Sequence, residues 1–274
     1  MLIATLLALT AAVLHAGWNL IAKRSIDPFI ALWGQFVVAG AASGVVLALR
    51  GGLPFEGWAW ALLSGVIHVP YVLGLAWAYR HGDFSLAYPV ARGGGALIAA
   101  IGGLVLLDDQ LHRLSIIAIV VIVGGMALLA AGAPTGQVLT ALLVAATIGA
   151  YTVVDSHAAR QYGGISYVLG VFVMMGVCNS VVGVIGGRSA DLRALTPGTW
   201  WRTGLAGIMS VVTYGLVLVA VRRAPVGYVA ALRESSVLIA GVVGWRMLDE
   251  RRGHIRTAAA GVIVTGLVLL VIAG

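Results

Sequence analysis

The sequence predicts an all-α membrane protein: ten transmembrane helices built as two inverted five-helix repeats. Three observations lead there. Charge is scarce, with 61% of the 274 residues hydrophobic and 10% charged, against about 25% charged in an ordinary soluble domain. So few charges cannot cover a water-facing surface, and the lipid bilayer must supply the missing solvent. Apolar runs of about 20 residues, the length a helix needs to cross the hydrocarbon, recur along the whole chain. The second half also repeats the first.

The first run, 2–22, has no basic leader and passes straight into Lys23 and Arg24. It reads as a helix that stays in the membrane rather than a cleaved signal. Runs at 29–49, 58–79, 84–107 and 114–132 follow, then 137–158, 165–187, 200–221, 226–248 and 255–273. Charged and helix-breaking residues mark the joints, among them Ser25 to Pro28, Arg50 to Glu56, Arg80 to Asp83, Arg188 to Pro197 and Asp249 to His254. Joints this short leave helices only, since barrel strands would be about half as long. Trp58, Trp60, Trp200 and Trp201 stand at helix ends and read as interface anchors. Glycine is abundant, at 38 residues. Small residues let membrane helices approach closely, so Gly102-Gly103, Gly124-Gly125 and Gly186-Gly187 read as packing positions.

Residues 74–132 fall on 215–273 without a gap. Gly74-Leu75 meets Gly215-Leu216, Arg92 meets Arg233, and Leu107-Asp108 meets Leu248-Asp249. Apolar matches are cheap in this composition, but a shared intramembrane arginine and Leu-Asp helix end are not. The chain therefore divides into 1–132 and 137–274. Five helices per half is odd, so two halves of one fold must enter the membrane with opposite orientation. Inverted repeats of this kind are an architecture of secondary transporters, with the substrate site near the midplane between them.

Four charged residues fall well inside predicted spans: Arg92, Asp155, Arg233 and Glu234. Each costs at least a few kcal/mol there and needs a reason. Their charges sum to zero, as a polar cavity or a set of structural ion pairs would require. Arg92 follows Tyr88-Pro89 and precedes Gly93-Gly94-Gly95, a pattern expected to bend or unwind the fourth helix. The plainer reading is tight packing, with Arg92 paired to a carboxylate. Asp155 and Glu234 are candidates for carrying a coupling proton; for Glu234 a structural pair with Arg92 is the alternative. His15, Trp18 and Asn19 share one face of the first helix at i, i+3 and i+4. His68 and Tyr71 do so in the third, and Tyr151 and Asp155 in the sixth. Such stripes line a cavity or hydrogen-bond between helices. As a set they favour a cavity, so His15, Trp18, Asn19, His68, Tyr71, Tyr88, Arg92, Tyr151 and Arg233 are the candidate substrate-binding residues.

Other classes lack a signal. The net charge of +7 is spread singly or in pairs between apolar runs, the usual place for Lys and Arg at membrane interfaces, so no nucleic acid is expected. The single cysteine, Cys178, permits no intrachain disulfide and no CxxC metal cluster, and no metal or other cofactor is expected. There is no HExxH, GxSxG, P-loop or GxGxxG after a strand. A membrane-embedded enzyme or lipid-modifying protein is the competing class, and an assembly partner the third, with little use for four buried charges.

The sequence resembles the EamA type of the drug/metabolite transporter superfamily over its whole length. The carrying motifs are Tyr88-Pro89-Val90-Ala91-Arg92-Gly93 and Ala231-Leu232-Arg233-Glu234-Ser235-Ser236-Val237. Leu107-Asp108-Asp109-Gln110 and Leu248-Asp249-Glu250-Arg251 resemble the family's Leu-Gly-Glu helix ending, with Asp in place of Gly. His15-Ala16-Gly17-Trp18-Asn19 in the first helix is similar too. The resemblance implies an export-type or exchange carrier of small organic solutes, working by alternating access as a monomer or homodimer in the cell membrane. It also implies cytoplasmic termini. The Lys/Arg count leans the other way: Arg50, Arg113, Arg160, Arg222 and Arg223 lie on the side of the termini, against Lys23, Arg24, Arg80, Arg188, Arg193, Arg251, Arg252 and Arg256 opposite. Cytoplasmic termini are the expectation.

Overall fold

In the computed structural model, which describes residues 2–107, 113–131, 133–195, 197–233, 236–237 and 253–273, each apolar run begins in a helix. Among the described residues there is no strand. The elements are α1 (Leu2–Lys23), α2 (Pro28–Leu49), α3 (Phe55–His81), α4 (Phe84–Leu106), α5 (Arg113–Ala130), α6 (Thr135–Tyr162), α7 (Gly164–Ile185), a short α8 (Ser189–Arg193), α9 (Pro197–Ala220), α10 (Val226–Arg233) and α11 (Gly253–Ala273). Seven of them, α1 to α4, α6, α7 and α9, are long and apolar enough to cross a membrane. The chain is a multi-pass membrane protein. α3 and α6 outrun their apolar segments because the backbone ladder continues through interface residues such as Arg80 and Arg160. α8, inside the joint from Arg188 to Pro197, was not anticipated. Glu234 and the Leu-Asp endings at 107–108 and 248–249 lie wholly or partly outside the described residues.

Local chemistry explains the helix ends. The Asp27 carboxylate caps α2, accepting from the backbone N–H of Phe29 at 3.0 Å and Ile30 at 3.2 Å, with Pro28 in the first turn. α2 and α7 end alike. Gly51 N–H donates to Ala48 O and Gly52 N–H to Leu47 O; Gly187 N–H donates to Val184 O and Arg188 N–H to Gly183 O. This is the Schellman pattern, which needs a left-handed residue, and Gly51 (φ 89°) and Gly187 (φ 70°) supply it. Gly186-Gly187, expected as packing positions, instead stop a helix.

The principal packing partners are α1 with α9, α3 with α6, α2 with α7 and α9, α3 with α7, α4 with α6, and α5 with α11. Two crossings are reciprocal. A Cβ on Gly40 would stand 2.8 Å from Phe172 O, and one on Gly176 would stand 2.9 Å from Phe36 O. A Cβ on Gly125 would meet Ile263 and Ala259 O, and one on Gly266 would meet Ile122 and Ala118 O. Each crossing is thus a two-sided close approach of backbones, the use membrane helices make of glycine.

The triple glycine corrects an expectation. α4 runs unbroken through Pro89 and Gly93-Gly94-Gly95. Gly93 faces Ile263 of α11, Gly94 faces Ala145 and Gly95 faces Ile148, both of α6. Tertiary packing overrides the poor helix propensity of the run.

One end of the bundle gathers several charges. Lys23 Nζ donates to Tyr79 O at 2.8 Å and Gly82 O at 3.0 Å, capping α3. Beside it Arg188 pairs with Asp27 at 2.6 Å and with Asp191, and Arg256 pairs with Asp83 at 2.6 Å. Partial burial pushes the Asp27 carboxyl up, but the hydrogen bonds from Arg188 and from the Ile30 and Phe29 amides outweigh it, holding it below the usual carboxylate range. At the other end Arg160 reaches Val221 O and Leu107 O, each at 3.5 Å.

Candidate functional site

A polar cavity lies inside the bundle. α1 contributes His15 and Trp18, α3 contributes His68 and Tyr71, α6 contributes Tyr151, and α10 contributes Arg233. All six were candidates from the sequence. The remaining walls are Phe36 of α2, Phe172 and Met175 of α7, and Ser210, Thr213 and Tyr214 of α9. The open space is about 30 Å³, enough for one or two waters. A larger concavity of about 620 Å³ lies between α2 and α7, bounded by Gly40, Gly176, Val181 and Ile185. Its Ser180 hydroxyl already accepts from Trp33 Nε1 at 3.0 Å. That groove offers little to orient a solute, and the inner cavity is the better candidate.

Aromatic stacking shapes the cavity. His68 stacks on Tyr151 with centroids 4.0 Å apart and planes at 22°, while Tyr71 stands edge-on to His68 at 5.7 Å. His15 and Trp18, one turn apart, meet edge-to-face at 4.8 Å. His68 Nδ1 lies 2.8 Å from Ser64 O. A carbonyl only accepts, so Nδ1 carries the hydrogen.

Three candidates stand behind the wall. Asn19 donates from Nδ2 to His15 O at 2.8 Å and accepts from the Tyr79 hydroxyl. Tyr88 donates to Ser236 Oγ at 3.1 Å, with its ring 6.2 Å from His15. Arg92, 3% exposed, is within electrostatic reach of His15 and Tyr71, as is Arg233. The two arginines thus converge on one region from α4 and α10. All nine candidates are buried, none beyond 5% exposed.

Asp155 does not line the cavity. It is fully buried in a cage of hydroxyls. Tyr167 of α7 donates to Oδ1 at 2.8 Å, Ser64 of α3 donates to Oδ2 at 2.9 Å, and Tyr214 of α9 donates to Oδ2 as well. Four helices meet on this one carboxyl group. Tyr214 reaches from the cage to the cavity, and so does Ser64 through His68, whose Nδ1 is 3.3 Å from Ser64 Oγ. Among the described residues no group of three or more His, Cys, Asp or Glu could hold a metal ion.

Sequence reasoning missed Phe36, Phe172, Met175, Ser210, Thr213 and Tyr214 in the wall, and Ser64 and Tyr167 in the cage. A signal for some of them was present. Ser210, Thr213 and Tyr214 stand at i, i+3 and i+4, the spacing that singled out His15, Trp18 and Asn19. Phe36 and Gly40 also correspond to Phe172 and Gly176 at one constant shift, which Gly51 and Gly187 share.

Residues 135–272, just over half of the chain, match the model of the EamA-like transporter family. No curated protein matches the chain. A crystal structure titled only "Crystal structure of protein" superposes with a TM-score of 0.70 at 19% identity, covering 98% of this chain and 97% of that one. At that identity the likeness speaks for the fold alone.

Proposed function

Since the chain belongs to the EamA-like transporter family, we propose that it is a secondary active transporter of a small polar or amphipathic organic metabolite, working by alternating access. The observation that carries the reading is the buried cavity whose walls come from both halves of the chain and include the fixed positive charge of Arg233. A guanidinium keeps its charge at any physiological pH and grips an oxyanion at two points. The substrate therefore carries a carboxylate or similar oxyanion, and the aromatic walls take an apolar body. With room for one or two waters, the cavity is closed to solute in this state, and the halves must part to admit one.

The proposed frame is ten helices in two inverted repeats, 1–132 and 137–274. Exchanging the halves turns the packing of α1 on α9 into that of α6 on α3, and of α2 on α9 into that of α7 on α3, while α2 with α7 and α5 with α11 map onto themselves. The reciprocal glycine crossings support the same axis. The ion pairs Arg188–Asp27 and Arg256–Asp83 join the halves at one end and would break when that end opens. Asp155 and Glu234 are the proposed proton carriers. The protein is proposed to work as a monomer or homodimer in the cell membrane, exporting its substrate, with both termini cytoplasmic.

The test is flux of small organic anions into proteoliposomes holding the purified full chain. Saturable flux, reduced by Arg233→Lys, supports the reading. No flux above protein-free liposomes for any organic anion would overturn it.

A further inference from the structure

Beyond its cation, the cavity contains hydrogen-bonding atoms with nothing to bond. Among the described residues, His15 Nε2, Trp18 Nε1 and Thr213 Oγ1 are each buried and find no hydrogen-bond partner, and all three residues line the same cavity. Thr147, Thr203, Ser210 and Thr265 donate to a carbonyl of their own helix at 2.8 to 2.9 Å, whereas Thr213, one turn beyond Ser210 on α9, does not; Ser43 and Ser156, outside the cavity wall, share that state. The three residues stand on α1 and α9, which pack directly on each other, and together they are a polar strip of the cavity's lining.

A buried group without a partner is costly, and three in the lining of one cavity point to a water or ligand that completes them. The indole N–H only donates, whereas the hydroxyl and a neutral imidazole Nε2 each donate or accept, and none of the three is an acid. An acceptor oxygen is the one partner that all three can serve, and the strip cannot itself neutralise a cation.

We propose that His15, Trp18 and Thr213 form a second, uncharged subsite that selects organic anions bearing an additional neutral acceptor oxygen, such as a carbonyl, apart from the anionic group. The inference rests on the cavity being the solute site. Arg233 holds the anion and the α1–α9 strip reads the second oxygen. Sites built to hydrogen-bond a group discriminate strongly against analogues without it, because their own polar atoms are then left unpaired.

Two probes of matched length separate the parts. Hippurate has an amide carbonyl between its ring and its carboxylate; 4-phenylbutanoate has methylenes there. Binding of each is measured on the full chain in lipid nanodiscs. Hippurate should bind about tenfold or more tightly than 4-phenylbutanoate, the ratio one such hydrogen bond sets. Thr213→Val and Trp18→Phe should remove that preference by weakening hippurate more than 4-phenylbutanoate, and Thr213→Ser should keep it. Should Thr213→Val fold poorly, Trp18→Phe, which keeps the apolar body of the side chain, carries the test alone. Equal affinities for the two probes, or a preference that survives both variants, would overturn the subsite. If in that case Arg233→Lys still weakens both probes, the anion site stands without the subsite. If neither probe binds, or Arg233→Lys changes neither, the cavity is not an anion site and both readings fall.

Discussion

Removing one hydroxyl from the Asp155 cage should be costly in an order that the geometry sets. Tyr167 is the donor to Oδ1, whereas Oδ2 has two, Ser64 and Tyr214. Tyr167→Phe therefore strips one carboxylate oxygen bare, while Ser64→Ala leaves the other oxygen one donor. A hydrogen bond to a charged group contributes about 1.5–3 kcal/mol, and a neutral one about 0.5–1.5. We expect Tyr167→Phe to destabilise the protein by about 2–3 kcal/mol and Ser64→Ala by about 1.5 kcal/mol. Asp155→Asn presents an amide in place of the carboxylate, and in that background Tyr167→Phe should cost only the neutral amount, about 1 kcal/mol. The assay is reversible unfolding in mixed micelles across this double-mutant cycle at neutral pH. A Tyr167→Phe cost under about 0.5 kcal/mol, or one equally large in the Asp155→Asn background, would refute the reasoning, since the hydroxyl would then not be serving a carboxylate.

Gly40→Ala and Gly176→Ala should each destabilise by about 1–3 kcal/mol, because the new methyl meets a backbone carbonyl that cannot move aside. Gly44→Ala, with ordinary contact to Val173 at 3.6 Å, should be nearly neutral in the same melting assay. Transport measured over a pH series should lose its pH dependence in Asp155→Asn or Glu234→Gln, and a profile unchanged in both would remove them as proton carriers. The depressed Asp27 carboxyl stabilises its pair with Arg188 above the ordinary value of 3.8, and that contribution is lost as pH falls through the folded pKa. Stability loss from Asp27→Asn should thus be constant from about pH 5 upwards and vanish in strong acid. Both partners are partly exposed, so the pair itself is worth about 1 kcal/mol at most.

Helix period and length made the elements legible, and polar residues at i, i+3 and i+4 found the α1, α3 and α6 walls of the cavity. What one helix cannot reveal is what faces it. Asp155 shares a face with Tyr151, yet Ser64, Tyr167 and Tyr214 close over it and leave only Tyr151 in the cavity. Phe36 and Phe172 read as ordinary apolar residues until the Gly40 and Gly176 crossing brings their backbones together. The run Gly93-Gly94-Gly95 looked like a break because propensity describes an isolated helix, whereas here Ile263, Ala145 and Ile148 occupy the space that side chains would fill. Ser210, Thr213 and Tyr214 carry the same i, i+3, i+4 spacing as His15, Trp18 and Asn19 and were legible on that ground.

The central claim is a solute cavity built around Arg233 with Arg92 beside it. Its most direct test is the concentration dependence of hippurate flux into proteoliposomes for the wild type, Arg92→Lys and Arg233→Lys. Lysine keeps the charge and loses the planar fork that grips an oxyanion. The account predicts saturable flux in the wild type, and in the Arg233→Lys variant normal insertion with KM raised about tenfold or more. Saturable flux with an unchanged KM in the Arg233→Lys variant would contradict it.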